Sequence, residues 1–292
     1  MIDIAIVACL MLSQTSEETQ TFNAKLDFYY FNQFESSVTS GGNIEASSFG
    51  TSLRLDTQVT NDDNLLFDFQ YQATDWSFGG TTGLGGDNPW GTIKTIEFVT
   101  QWTHEYADQS QWFAAGFVRA SYEDTASTDT NVGGSFGLIH SFSSDLTLGL
   151  GVAIVGEAQA DPLVFPLFIV EWKLADTLRL RSAMTARFAG RRGLELIWTP
   201  QGSWTYGVGL SYEYNRFKLD DSGIAPNGAG ETTSYPLILR ATHKASPTCD
   251  ITLLGGIVFG GHLEVTDQSR QLIRSTDYEN AGVIGIFGQL RF

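Results

Sequence analysis

Trp204-Thr205-Tyr206-Gly207-Val208-Gly209-Leu210-Ser211-Tyr212-Glu213-Tyr214 is the stretch that decides the fold. Trp204, Tyr206, Val208, Leu210, Tyr212 and Tyr214 alternate with Thr205, Gly207, Gly209, Ser211 and Glu213. A period of two means strand, because successive side chains point to opposite faces of a sheet. One face here is greasy and the other small or polar, the clean alternation of antiparallel sheets. The pattern recurs in both directions. Phe22, Ala24, Leu26, Phe28 and Tyr30 alternate with Asn23, Lys25, Asp27 and Tyr29. Leu65, Phe67, Phe69 and Tyr71 alternate with Leu66, Asp68, Gln70 and Gln72. Helical periodicity is almost absent.

Strands are expected near 21–32, 48–60, 64–75, 92–104, 111–122, 132–142 and 145–156. The second half continues near 163–174, 178–189, 193–199, 203–217, 234–244, 249–262 and 279–292. Many are longer than the mode of about five to six residues in globular sheets, and suit the nine to eleven a tilted membrane strand needs. Tight turns at Asn61-Asp62-Asp63, Ser143-Ser144-Asp145, Ala175-Asp176-Thr177 and Gln201-Gly202 largely alternate with polar loops at 33–47, 75–91, 123–131, 218–233 and 263–278. Short and long connections alternate when the two ends of a barrel face different compartments. The loops near 157–162 and 189–193 are shorter than this rule predicts, so one rim should be uneven. The expectation is an all-β, transmembrane, antiparallel up-and-down barrel of about 14 strands, with 12 or 16 if Pro166 or 193–199 is misread. Pro166 implies a bulge or an interruption, and Pro236 sits at a strand start.

Composition points the same way. Aromatics make up 13% of the 292 residues, and charged residues only 17%, against about 25% in soluble domains. The net charge of −16 excludes a nucleic-acid partner, whose phosphates need a basic surface. Trp102, Trp112, Trp172, Trp198 and Trp204 gather at the short-turn ends of strands. Indole rings favour headgroup depth, where the body is greasy and the N–H stays wet. No run reaches the roughly 18 apolar residues of a membrane helix. Segment 1–19 reads as a partial signal-like stretch without a basic n-region, and 20–292 as the barrel. Ile6-Val7-Ala8-Cys9 loosely matches a lipoprotein cleavage box, and Cys9 with Cys249 makes neither a disulfide framework nor a metal site.

In the last strand, Ile284, Ile286, Gly288, Leu290 and Phe292 share one face, and Phe292 is the final residue. This resembles the C-terminal signature of the bacterial outer-membrane β-barrel superfamily, including its porin-like members. Gly288 departs from it, where a larger apolar residue is usual. The resemblance is architectural from about Thr21 onward and residue-level only in this strand. It implies an outer-membrane location, a lipid-facing exterior, and recognition by the barrel-assembly machinery through Ile284, Ile286, Leu290 and Phe292.

With the greasy face toward lipid, the other face lines the lumen. The candidate pore-lining residues are Arg54, Asp56, Asp68, Glu97, Arg119, Lys173, Arg179, Arg181, Arg187 and Arg240. Acids dominate the early strands and arginines the later ones, which reads either as a transverse field across a pore or as internal ion pairs that stiffen a narrow barrel. Gly133, Ser135, Gly137, Gly149, Gly151 and Ala153 either widen the pore or let neighbouring strands pack. No catalytic, cofactor or metal site is expected. His140 and Ser141 sit on opposite faces of a strand, and Gly79–Gly86 is a flexible loop tip with neither a lysine nor a following helix. The functional expectation is a porin-like channel for passive passage of small solutes. The alternatives are a closed structural or adhesive barrel with acidic loops and, behind it, a soluble sandwich or an enzyme.

Overall fold

The computed structural model describes residues 22–157, 160–182 and 192–292. The signal-like segment, Cys9 and Arg187 lie outside the described residues, as do 158–159 and 189–191 of the two loops that bear on an uneven rim. The strands are β1 (Phe22–Ser37), β2 (Asn43–Gln58), β3 (Asp63–Gly79), β4 (Thr92–Glu105), β5 (Ser110–Glu123), β6 (Thr130–Ser143), β7 (Leu146–Val155) and β8 (Leu163–Ala175). There follow β9 (Leu178–Ser182), β10 (Arg192–Trp198), β11 (Trp204–Lys218), β12 (Ala229–Ser246), β13 (Cys249–Thr266), β14 (Leu272–Tyr278) and β15 (Ala281–Arg291). One short helix, α1 (Gly83–Asp87), lies between β3 and β4.

Each strand pairs antiparallel with the next up to β13. β15 then joins β13 on one side and β1 on the other, from Lys25↔Arg291 to Gln33↔Val283. Fourteen strands therefore close into a barrel, and β14 is an extra strand carried on the outer end of β13. Closure pairs β15 with both β1 and β13, so the barrel's first and last strands leave no open edge between them, as the hydrocarbon interior of a membrane demands.

The exterior follows from the alternation. Phe28, Tyr30, Phe69, Phe98, Leu150, Phe168, Leu239, Leu253 and Ile286 all stand exposed on the outer face. At the short-turn end the five tryptophans form a rim, with Trp102 tilted against Trp112 (5.6 Å) and Trp198 stacked near Tyr206 (5.4 Å). Trp102 Nε1 donates to Asp63 Oδ1 at 2.9 Å, so the wet edge of the indole is satisfied at the turn. Toward the other end, Tyr212 and Tyr235 pair at 5.4 Å. Just beyond them Gly260 adopts φ +55 beside a register shift between β12 and β13. There the outer face changes from Leu237, Ile251 and Ile257 to Glu231, His262 and Glu264. The bulge thus marks where the greasy band ends.

Several expectations need correction. Segments 33–47, 75–91, 218–233 and 263–278 are not loops throughout, because β1, β2, β3, β12 and β13 continue into them and β14 lies within the last. Above the band a strand needs only its backbone hydrogen bonds, so it loses the greasy face by which it was recognised. Gly79–Gly86 holds the start of α1 and buries Leu84 completely. Pro166 sits in unbroken register opposite Val152, and on its other side no described residue requires its missing N–H. Pro236 lies inside β12 rather than at its start, near the register shift between Thr233 and Tyr235.

Candidate functional site: a partitioned lumen

Register places each described candidate pore residue on the inner face. Lys25, Arg54 and Asp68 form one row across β1–β3. Gln70, Glu97 and Arg119 form another across β3–β5. Asp56 lies nearer the short-turn end, opposite Leu66. Lys173, Arg179 and Arg240 share a row with Ile197 and Gly207 across β8–β12. Arg181 lies opposite Glu171 and Glu195. Two acids of the early strands, Asp68 and Glu97, face arginines within their own wall. Asp68 accepts from Arg54 at 2.7 Å, and Glu97 stands directly opposite Arg119.

The sequence did not reveal that the lumen is divided. At the long-loop end β11 leaves β10, which is its partner only as far as Tyr212 among the described residues, and meets β5 in a parallel bridge between Lys218 and Tyr122. Below the bridge Arg119 donates to Asn215 Oδ1 at 2.6 Å. These residues are 96 positions apart, and only the register of fourteen strands brings them together.

On the β1–β5 and β11–β15 side, the long-loop end is filled by an apolar plug. Trp90 packs edge-on against Phe217 at 5.1 Å and Phe78 at 5.3 Å, with Leu84, Ile44, Leu219, Leu263 and Val265 almost fully buried around them. Glu123 ties the plug to the partition, since the Gly91 N–H donates to one carboxylate oxygen at 2.8 Å and the Asp220 N–H to the other at 3.1 Å. Beneath the plug is a cavity of about 100 Å³ lined by Tyr29, Gln72, Thr74, Trp76, Asn215 and Ser234 among others. Tyr29 donates to Gln72, and Gln72 to Thr74, each at 3.0 Å.

The β6–β10 side has a different wall. Phe113, Gly137, Gly151 and Leu167 form one inward row across β5–β8. A Cβ on Gly137 would stand 2.4 Å from Cε1 of Phe113, so the ring lies in the space the glycine leaves. Phe113 and Leu167 cluster with Ala153, and Ile139, Phe165 and Ile169 pack against them. The wall here is apolar. Of the two roles open to the inward glycines, packing is the one seen at Gly137. Toward the short-turn end this wall gives way to charge. Glu195 accepts from Arg181 at 2.9 Å and also from Arg240, so one carboxylate serves two guanidiniums.

Among the described residues no group of three His, Cys, Asp or Glu side chains could hold a metal ion. Outside the membrane band, on the β13–β14 extension, His262 Nδ1 is 2.6 Å from Asp277 and Nε2 is 3.0 Å from Glu264. Burial pushes its pKa down, but the two carboxylates outweigh that and hold it above the ordinary 6.5. A raised folded pKa means the stabilisation is full below the unfolded value and is lost as pH rises through the folded one. The amides of β14 should therefore exchange more slowly at pH 6 than at pH 9 after correction for intrinsic rates, and His262→Gln should abolish the difference. Equal protection at both pH values in the wild type would refute the pairing.

No protein-family model matches the chain, and no curated protein sequence matches it. Among solved structures it is similar to an outer membrane channel from Pseudomonas putida F1, at 9% identity over 96% of this chain and 98% of that one, TM-score 0.49. It is similar to the P. putida toluene transporter TodX at 9% identity over 95% and 91%, TM-score 0.43. The translocator domain of the autotransporter NalP from Neisseria meningitidis matches at 9% identity over 100% and 95%, TM-score 0.37.

Proposed function

We propose that this bacterial outer-membrane β-barrel is a passive channel for small solutes, and that they pass on the β6–β10 side of the partition. The observation that carries the reading is the asymmetry of the two compartments. One is stoppered at its long-loop end by Trp90, Phe217 and Leu84 and tied shut through Glu123. On the other side Phe113 packs over Gly137 against Leu167, and the described residues there form no comparable stopper at the long-loop end. Fourteen strands enclose more space than the eight whose inward side chains fill a small barrel. Single-channel recording of the refolded protein in a planar bilayer tests this. Steady conductance in sodium chloride is expected. A barrel that inserts without conducting would overturn the channel and leave a closed structural or adhesive barrel, the reading that the plug itself favours.

Ile284, Ile286, Leu290 and Phe292 lie on the outer face of β15 beside β1, where a strand awaiting closure would offer them to the barrel-assembly machinery. Removing Phe292 should lower the folded fraction in the outer membrane, scored by heat-modifiable gel mobility. An unchanged fraction would contradict that role.

A further inference from the structure

We propose that the solutes this channel favours are small amphipathic anions, carboxylates with a short apolar tail. The proposal rests on the channel reading and names the chemistry of the same compartment. The inner face of β8 changes character along its length. Phe165, Leu167 and Ile169 belong to the apolar wall, whereas Glu171 and Lys173 follow on the same face and meet Arg181 and Arg179 on β9. An apolar surface and a cationic one therefore adjoin on a single strand. Two residues of strand advance about 7 Å, so Ile169 and Leu167 lie about 7 and 13 Å beyond the Glu171–Arg181 row. A four- to six-carbon tail spans a distance of that order.

The cationic end presents exposed guanidiniums. Lys173 is paired with Asp176 at 2.7 Å in the turn. Glu195 is shared by Arg181 and Arg240. Arg179 stands 4.0 Å from Glu171 and is 57% exposed, and Arg181 is 47% exposed. Two guanidiniums, each about half exposed, thus stand together at this end in a chain whose net charge is −16. A guanidinium fork binds a carboxylate in two parallel hydrogen bonds. Arg179 and Arg181 would take the head group while the tail lies along Ile169 and Leu167. A neutral solute would lack the first contact, and acetate the second.

The experiment is block of the sodium chloride current by hexanoate in a planar bilayer, with acetate and hexylammonium as comparison ions. Hexanoate should block saturably, and acetate and hexylammonium should block at least about tenfold more weakly, a difference of about 1.4 kcal/mol. The double variant Arg179→Gln/Arg181→Gln, which keeps the Arg240–Glu195 pair, should raise the half-blocking hexanoate concentration about tenfold. Its heat-modifiable mobility reports that the barrel has folded, and Leu167→Asn, which keeps both arginines, should weaken hexanoate block without altering acetate. Equal block by hexanoate and acetate, or block unchanged in both variants, overturns the proposal while the sodium chloride conductance still stands. Absence of that conductance overturns the channel, and the solute proposal falls with it.

Discussion

Phe217→Ala should destabilise the barrel by about 3–5 kcal/mol, the cost of emptying a large aromatic site in a packed core. Phe217 is wholly buried, and its ring meets Trp90 at 5.1 Å. A Cβ on Gly230, in the adjacent strand, would stand 2.4 Å from the Phe217 ring, so the backbone comes too close to relax into the void. Trp90 would lose one of its edge-on partners, and the stopper would lose the contact between Trp90 and β11. The cost should appear as a shift of the urea midpoint with an unchanged slope, measured by unfolding in lipid vesicles. A loss below about 1 kcal/mol would mean that the plug is loosely packed and that the stoppered compartment is not rigidly closed.

Asp68→Ala should cost about 3 kcal/mol, because it strands a guanidinium inside the barrel wall. The Asp68 side chain is 3% exposed and that of Arg54 is 16% exposed, and Arg54 donates to Asp68 Oδ2 through both Nε and Nη2, at 3.0 and 2.7 Å. Removing both charges together is different. Arg54→Leu/Asp68→Leu should recover most of the loss, since a buried pair can be replaced by apolar side chains at little net cost. Unfolding the two variants beside the wild type decides it. If the single variant is as stable as the wild type, Arg54 is solvated from the lumen and the internal pairing is not structural.

What could be read from the sequence was parity. Alternation in β11 assigns Gly207, Gly209, Ser211 and Glu213 to the lumen and Tyr206, Val208 and Leu210 to lipid, and in the structure their strand register agrees. The same reasoning places Arg54, Asp68, Glu97, Arg119 and Arg240 inside. Partners were harder, because they depend on register. That Asp68 meets Arg54 and that Glu97 faces Arg119 follows only once the offset between neighbouring strands is fixed. The plug was invisible because Ile44, Leu84, Trp90, Leu219 and Leu263 sit in segments without periodicity and meet through distant contacts. The partition at Tyr122 and Lys218 breaks the one rule that strand order supplies, that neighbours in sequence are neighbours in space. One signal was there to be weighed. Gly137 and Gly151, on the inner faces of consecutive strands and flanked by Phe113 and Leu167, are the spacing that lets large side chains fold over small ones.

The route itself is tested most directly by modifying thiols during single-channel recording. Gly209→Cys would stand on the inner face of β11 beside Glu195 of β10, where an added Cβ finds only ordinary contacts at 3.5 Å or more. Ser48→Cys would stand in the cavity beneath the plug, and both variants would carry Cys9→Ser and Cys249→Ser. A charged methanethiosulfonate should step the conductance down in the Gly209→Cys channel and leave the Ser48→Cys channel unchanged. The reverse pattern, with Ser48→Cys blocked and Gly209→Cys untouched, would place the path through the stoppered compartment and contradict the account.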